Sequence, residues 1–213
     1  YEIPLRLVGS EMCIRDSLHA SQIKATDIYE TPPQIIWIDN STIATLGNFS
    51  ASTGKAKSKK TFNVSALVAA SLAGKQVLNY RAHLPEGKQR ILYVDTEQSR
   101  FHCRSVLERI LRLAGLPTTT DPENLDFFCL REYSPSVRIE VIDYALRQQK
   151  GYGLVIIDGI RDLMLDINNA GESVEVINRM MEWSSRYDLH IHCVLHLNKG
   201  DNNVRGHIGT EMS

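Results

Sequence analysis

The segment from Leu154 to Asp158 constrains the fold most strongly, because a continuous apolar run ends there in an acid. Such a run is typical of a strand that is buried on both faces of a parallel sheet. Parallel strands need long crossover connections, which helices usually supply. The segment therefore predicts an α/β domain in which strands alternate with helices.

The rest of the chain supplies this alternation. Apolar runs rich in β-forming residues predict strands at residues 43–49, 90–95, 125–130 and 190–197. Amphipathic spacing predicts helices at residues 60–73, 99–113, 136–149 and 172–187. Gly74 is expected to cap the first helix, and residues 85–87 are expected to form a turn. Because no repeat or low-complexity linker interrupts the pattern, we expect one domain with a mostly parallel sheet flanked by helices.

The first seventeen residues stand apart from this pattern. The run from Leu7 to Asp16 resembles, codon for codon, a translated transposase-type sequencing adapter, and residues 1–3 are similar to the other end of the same oligonucleotide. Segments of this origin are excluded from fold reasoning. We therefore expect residues 1–17 to be a non-native segment and residues 18–213 to be the domain. A native extension of mixed composition is the alternative.

Composition excludes several classes of function. With 24 Lys and Arg against 25 Asp and Glu, the chain has no global basic field, so nucleic-acid binding would need local patches. No apolar run approaches the roughly 18 residues that a membrane-spanning helix needs, so no membrane partner is expected. Cys103, Cys129 and Cys193 form no C-x-x-C pair and lie in apolar segments. They indicate buried, reduced thiols in a cytoplasmic protein.

A lysine-rich loop lies between the first predicted strand and the first predicted helix. From Gly54 to Thr61 it follows the phosphate-loop pattern G-x-x-x-x-G-K-[ST], except that Lys59 occupies the position of the second glycine. In the other register Lys55 would be the phosphate lysine, but Ala56 cannot then supply a hydroxyl group. The first register is therefore the better interpretation.

The chemistry of phosphate binding explains these residue types. Successive backbone N–H groups and the N-terminus of the following helix favour an anion, with Gly54, Ser58 and Lys59 lining the loop. Lys60 would contact the β- and γ-phosphates of a nucleotide, and the Thr61 hydroxyl would bind Mg²⁺. A lysine in place of the second glycine is unfavourable if that position needs a positive φ. A basic surface loop without a ligand is the alternative.

Two acids follow predicted strands at the edge where ligands bind in α/β sheets. Asp158 ends its strand and is placed to hold Mg²⁺, directly or through water. Glu97 follows strand 90–95 and is placed near the γ-phosphate, where a carboxylate can orient and polarise an attacking water. Ordinary turn acids are the alternative for both residues.

Three histidines share one face of the last predicted strand, namely His190, His192 and His196. A metal site there lacks further ligands, so we expect His190 and His192 to pack in the core or against a helix. His196 differs because it lies at the ligand-binding end. Lys199 and Arg205 follow it, and a solvated loop is the alternative for both.

In their chain order, these motifs resemble the RecA-like P-loop ATPase domain, of the AAA type, of hexameric replicative helicases from plasmids and other mobile elements. The resemblance covers the chain from about residue 34 onward and rests on Gly54, Lys60-Thr61, Asp95-Thr96-Glu97, Ile156-Ile157-Asp158, His196, Lys199-Gly200 and Arg205-Gly206. It implies that Glu97 is the catalytic carboxylate and that Asp158 is the Walker B acid. It also implies that His196 senses the γ-phosphate, and that Lys199 or Arg205 reaches the neighbouring subunit's site.

The resemblance further implies an Mg²⁺-dependent ATPase coupled to DNA. The expected partners are copies of the same chain, in a hexameric ring when complete, and single-stranded DNA. Because such domains continue past Arg205 into further strands, we expect the chain to be incomplete at its C-terminus. A RecA-like mediator or regulatory ATPase is one alternative, and a nucleotide-binding module without turnover is another. The segment 199–205 has no aromatic residue for base stacking, which leaves motor and mediator open.

Overall fold

The computed structural model describes residues 14–54, 58–166 and 170–196. The chain divides into two compact units, residues 1–31 and 32–213. In the first unit, residues 14–21 form helix α1. A turn follows, in which the backbone N–H of Lys24 donates to the Asp27 carboxylate at 2.8 Å. The predicted boundary between residues 17 and 18 stays a prediction.

The second unit alternates strands and helices. Its elements are β1 (Gln34–Ile38), β2 (Ser41–Thr45), β3 (Phe49–Gly54), α2 (Lys60–Ala73), β4 (Tyr80–Ala82), β5 (Arg90–Asp95), α3 (Arg100–Ala114), β6 (Leu125–Cys129), α4 (Pro135–Gln148), β7 (Tyr152–Asp158), a 3₁₀ helix (Ile160–Leu163), α5 (Ala170–Arg186) and β8 (His190–His196). None of the helices in the described ranges is both long enough and apolar enough to cross a membrane.

A five-stranded sheet forms the centre of this unit, in the order β3-β8-β7-β5-β6. Every neighbouring pair in it runs parallel, so the C-terminal ends of all five strands meet at one edge, which we call the carboxyl edge. The α/β class with a parallel sheet flanked by helices is therefore confirmed. All seven residues of β7 are buried, as the apolar run predicts for a central strand.

Two hydrophobic clusters cover the faces of the sheet. Alternation along β5 divides its residues between them: Ile91 and Tyr93 join the cluster that contains α2 and α3. Leu92 and Val94 join the cluster that contains α4 and α5. The period of two is that of a strand with both faces buried. In the described part of the chain the sheet therefore lies between two helical layers.

The predicted strand at residues 43–49 is wrong. β2 ends at Thr45, the chain turns at Gly47 with a φ of 75°, and the strand that enters the phosphate loop is β3. β3 escaped prediction because four of its residues, from Ser50 to Thr53, are small or hydroxylated. It lies first in the strand order, and on one of its faces Ser50 and Ser52 form hydrogen bonds to β8 in place of apolar packing.

A second sheet was also missed. It is antiparallel, has the order β2-β1-β4, and buries Ile35 and Ile36 of β1 completely. The helices and turns agree better with prediction. α2 has the predicted bounds, and its Gly74 cap is left-handed with a φ of 60°. The turn before β5 is closed by the Lys88 N–H, which donates to the Pro85 carbonyl at 3.0 Å.

Candidate functional site

The phosphate loop begins where β3 ends at the carboxyl edge. A Cβ atom on Gly54 would lie 2.6 Å from the Ser58 hydroxyl oxygen, so the loop folds back closely over this residue and a side chain there would displace that hydroxyl. Residues 55–57 lie outside the described ranges. The loop bounds a cavity of about 480 Å³, whose lining includes Ser52, Gly54, Ser58, Lys59, Lys60 and Asn63.

Lys59 has the backbone conformation that the loop pattern assigns to a glycine. Its φ of 61° and ψ of 27° are left-handed, and it directly precedes the first helical residue of α2. For an L-residue this conformation costs roughly 1–2 kcal/mol. The departure from the motif is therefore accommodated with backbone strain, and the left-handed geometry of the loop is kept.

The Lys60 side chain extends along the inside of the loop. It is only 9% exposed, and its Nζ donates to the Gly54 carbonyl oxygen at 2.8 Å. Burial lowers the pKa of the Lys60 ammonium group, while the carboxylates of Glu97 and Asp158 oppose that lowering. The arrangement therefore places one buried cation between the loop and two acids.

Asp158 ends β7 beside the start of α2. The Tyr93 hydroxyl donates to its Oδ2 at 3.0 Å, and the Thr61 hydroxyl also hydrogen-bonds to its carboxylate. Burial raises the pKa of Asp158 to about 7, and the negative charges of Asp95 and Glu97 add to the rise. A carboxylate in this setting is stabilised by any added cation. The two residues predicted to bind the metal, Thr61 and Asp158, are thus brought together.

These oxygen donors fit Mg²⁺. Magnesium prefers hard oxygen ligands and usually takes only one or two from the protein, while waters and phosphates supply the rest. Among the described residues no group of three or more His, Cys, Asp or Glu side chains could hold a metal ion. A site built from Thr61 and Asp158 matches a metal that is bound together with a nucleotide.

Asp95 organises the turn that carries Glu97, a role that sequence reasoning missed. Asp95 is fully buried, and its Oδ1 accepts the backbone N–H groups of Glu97 at 3.0 Å and of Gln98 at 2.8 Å. Its Oδ2 accepts the Gln98 amide at 2.8 Å. An Asp that precedes polar turn residues is the available signal, since its side chain commonly caps the following backbone.

Contacts between the ends of β5 and β7 hold Glu97 close to Asp158. The Thr96 hydroxyl lies 2.9 Å from the Gly159 carbonyl oxygen and 3.1 Å from Asp162 Oδ2. Gly159 has a φ of 106°, and a Cβ atom there would overlap Thr96 and Glu97. Gly159 is therefore required twice, by its backbone angle and by the close approach. No short sequence pattern identifies it.

The other predicted site residues lie on β8 or after it. The His196 backbone is opposite Gly54 in the strand register, next to the phosphate loop, but its side chain lies outside the described part of the structure. Lys199 and Arg205 also lie outside the described residues. Nothing in the described ranges places these three side chains relative to Lys60.

Taken together, a parallel sheet, a phosphate loop after β3 and acids after β5 and β7 define a RecA-like P-loop ATPase domain. A family model described as an AAA domain matches residues 14–202. The chain therefore belongs to the AAA domain family. No curated protein matches it.

Proposed function

We propose that this domain binds and hydrolyses ATP with Mg²⁺, and that turnover is coupled to single-stranded DNA in a helicase-like ring of a plasmid or other mobile element. One observation carries the ATPase part of the proposal. The carboxyl edge brings together a phosphate loop, the buried Lys60 ammonium, the Thr61–Asp158 pair and Glu97. That set supplies each kind of group that phosphoryl transfer requires.

Lys60 and the loop bind the phosphates in this mechanism. The ammonium group is largely withdrawn from water, so its attraction for an anion is stronger than that of a surface lysine. Thr61 and Asp158 would hold Mg²⁺, which neutralises developing charge on the phosphates when it is bound. Both contributions lower the barrier by electrostatic stabilisation and by positioning the reactants.

Glu97 orients and polarises the water that attacks the γ-phosphate. Its backbone is anchored by Asp95, and its side chain is packed beside Gly159. A carboxylate that is fixed before substrate binds loses little freedom during the reaction. Asp95 is therefore a positioning residue, while Glu97 is the catalytic one.

The DNA-coupled part of the proposal is supported by resemblance. In ring helicases the residue that ends the strand equivalent to β8 senses the γ-phosphate, and residues after that strand reach the neighbouring subunit. By resemblance these roles fall to His196 and to Lys199 or Arg205. A non-helicase mediator or regulatory ATPase would use the same catalytic groups. A third candidate is a module that binds nucleotide with little turnover, because Lys59 brings a side chain to a position where the motif has glycine.

Steady-state ATP hydrolysis, measured with and without Mg²⁺ and single-stranded DNA, tests the proposal. Lys60→Ala is expected to reduce turnover at least about 100-fold, because it removes a buried phosphate-binding cation. Glu97→Gln is expected to reduce kcat by a factor of about 10² to 10⁴ while nucleotide still binds. The exposed Lys150→Ala and Glu140→Gln are the matched controls, and both should behave as wild type.

The outcomes separate the alternatives. DNA-stimulated turnover that is lost in both site variants supports the motor or mediator, and strand displacement then distinguishes the two. Turnover without stimulation supports a regulatory ATPase. Nucleotide binding without any turnover in the wild-type protein would refute the proposed hydrolysis and leave the binding module.

A further inference from the structure

Four polar side chains form a continuous hydrogen-bonded row between β3 and β8. It starts at the Thr45 carbonyl oxygen, which lies 2.9 Å from His190 Nδ1. His190 Nε2 lies 2.8 Å from the Ser50 hydroxyl, which lies 2.8 Å from His192 Nδ1. His192 Nε2 in turn lies 2.8 Å from the Ser52 hydroxyl. We call His190, Ser50, His192 and Ser52 the polar row.

The first acceptor sets the direction of every hydrogen bond in the polar row. A carbonyl oxygen can only accept, so His190 Nδ1 carries a proton and donates to Thr45. In a neutral ring Nε2 is then an acceptor, and the Ser50 hydroxyl donates to it. With its single proton used, Ser50 accepts from His192 Nδ1. His192 Nε2 is therefore the acceptor for the Ser52 hydroxyl.

Both rings are held neutral by their surroundings. His190 and His192 are 1% and 5% exposed, and no carboxylate is hydrogen-bonded to either ring among the described residues. Burial lowers the pKa of His190 to about 4 and that of His192 to about 3, and the neighbouring ring contributes to the lowering for His192. At neutral pH the row therefore has one proton arrangement, with both rings protonated on Nδ1.

The last member of the row lines the phosphate cavity. Ser52 borders the same space as Gly54, Lys59 and Lys60. Its proton is committed to His192, so its oxygen faces the cavity as an acceptor only. Phosphate oxygens are acceptors as well, and Ser52 therefore does not bind them. An oxygen with this restriction suits the N–H and ammonium groups that bind phosphate, because those groups are donors.

We propose that Ser52 is a positioning residue of the phosphate site, that His192 orients it, and that it holds the nitrogen donors of the loop in place for a nucleotide. This inference rests on the proposed function, since it assumes that the cavity receives the phosphates of ATP. Its effect is expected on binding, because Ser52 bonds to His192 and borders the cavity of the phosphate loop, while Glu97 is the group assigned to the attacking water. The role differs from simple packing, since it depends on one acceptor atom.

Two substitutions of His192 test whether an acceptor at the position of its Nε2 atom is what orients Ser52. A glutamine places its side-chain oxygen near the position of Nε2 and can still accept from Ser52. An asparagine reaches only the position of Nδ1, so it can donate to Ser50 but leaves Ser52 without its partner. Both variants remove the ring and introduce the same amide group. Ser52→Ala removes the hydroxyl itself.

The readouts are the Kd of Mg-ATP and the kcat at saturating ATP. His192→Asn and Ser52→Ala are expected to weaken binding about three- to tenfold, the range for one lost hydrogen bond, with kcat changed less than Kd. His192→Gln is expected to stay within about twofold of wild type. Equal affinity in all four proteins, or equal loss in both His192 variants, would overturn the assignment.

A measurement on the wild-type protein remains decisive if a variant fails to fold. Nitrogen-15 NMR distinguishes the two neutral forms of an imidazole ring, and we expect both buried rings to be protonated on Nδ1 at pH 7. A ring protonated on Nε2, or a charged ring, would overturn the direction of the row. If the wild-type protein bound no Mg-ATP while both rings had the expected form, the proposed function would fail, and the role of Ser52 with it.

Discussion

Replacing Lys59 with glycine should stabilise the folded protein. Lys59 is left-handed, with a φ of 61°, which costs an L-residue roughly 1–2 kcal/mol relative to glycine. Glycine also loosens the unfolded chain, which opposes the gain by roughly 0.4–1 kcal/mol. The net expectation is an increase of about 0.5–1 kcal/mol in the free energy of unfolding, or about 1–4 °C in Tm for a domain of this size.

Two controls separate backbone strain from the other effects of the substitution. Lys59→Ala removes the charge and most of the side chain but keeps the strain, so its stability should match that of wild type within about 0.5 kcal/mol. Leu78 is also left-handed, with a φ of 54°, and is 57% exposed outside the loop. Leu78→Gly should therefore give the same gain as Lys59→Gly.

Urea unfolding, followed by circular dichroism without nucleotide, measures all three variants against wild type. The urea concentration at the unfolding midpoint is the quantity to compare, provided that the free energy of unfolding falls with urea at the same slope in every variant. If Leu78→Gly stabilised the protein while Lys59→Gly destabilised it, the expectation that relieving strain at Lys59 raises stability would be refuted. The loop lysine would then contribute to the fold through its side chain.

Three further predictions concern the acids and the turn between them. Gly159→Ala should destabilise the fold by about 2 kcal/mol or more and abolish turnover, because the added Cβ overlaps Thr96 and Glu97; wild-type melting and activity would contradict this. Asp95→Ala, in variant protein that still folds, should lower kcat with little change in the Kd of Mg-ATP, whereas a loss of binding alone would refute its positioning role. The pKa of Asp158 is about 7 in the folded protein and about 3.9 in the unfolded chain. Because the folded protein binds this proton more tightly, the free energy of unfolding of the metal-free protein falls as pH rises from about 4 to 7, by about 1.4 kcal/mol per pH unit. Asp158→Asn should therefore stabilise the metal-free protein at pH 8 and have little effect at pH 4. Urea unfolding in EDTA measures both effects, and an equal change in the free energy of unfolding at the two pH values would refute this prediction.

Most of the fold could be predicted because central strands and amphipathic helices have clear patterns. β7 is apolar throughout, and α2 has both an apolar stripe and a glycine cap. β3 has neither, since Ser50 and Ser52 use hydrogen bonds to histidines in place of apolar packing. Its stability depends on β8, which lies about 140 residues further along the chain. A local pattern cannot predict a strand whose partners are so distant.

In the candidate site, too, some residues could be predicted from a local pattern and others could not. Lys60 and Thr61 belong to one short motif, and Glu97 and Asp158 follow recognisable strands, so sequence alone could nominate them. The supporting contacts could not be predicted, because each joins separate elements. Gly159 is one example, since the atoms that exclude a side chain there belong to the turn after β5. The hydrogen bonds of His190 and His192 to Ser50 and Ser52 are another example, since they follow only from the pairing of β3 with β8.

The contact between Lys60 and the Gly54 carbonyl oxygen affects how the loop discriminates between ligands. At least one N–H of the ammonium group already has a neutral acceptor before a nucleotide arrives. A ligand oxygen that takes the place of this carbonyl gains free energy only when it is the stronger acceptor. Hydrogen bonds to charged oxygens exceed neutral ones by about 1 kcal/mol, so the exchange favours anionic phosphate over a sugar hydroxyl or water. At this N–H the backbone of the loop therefore competes with neutral ligand oxygens and is displaced more readily by charged ones.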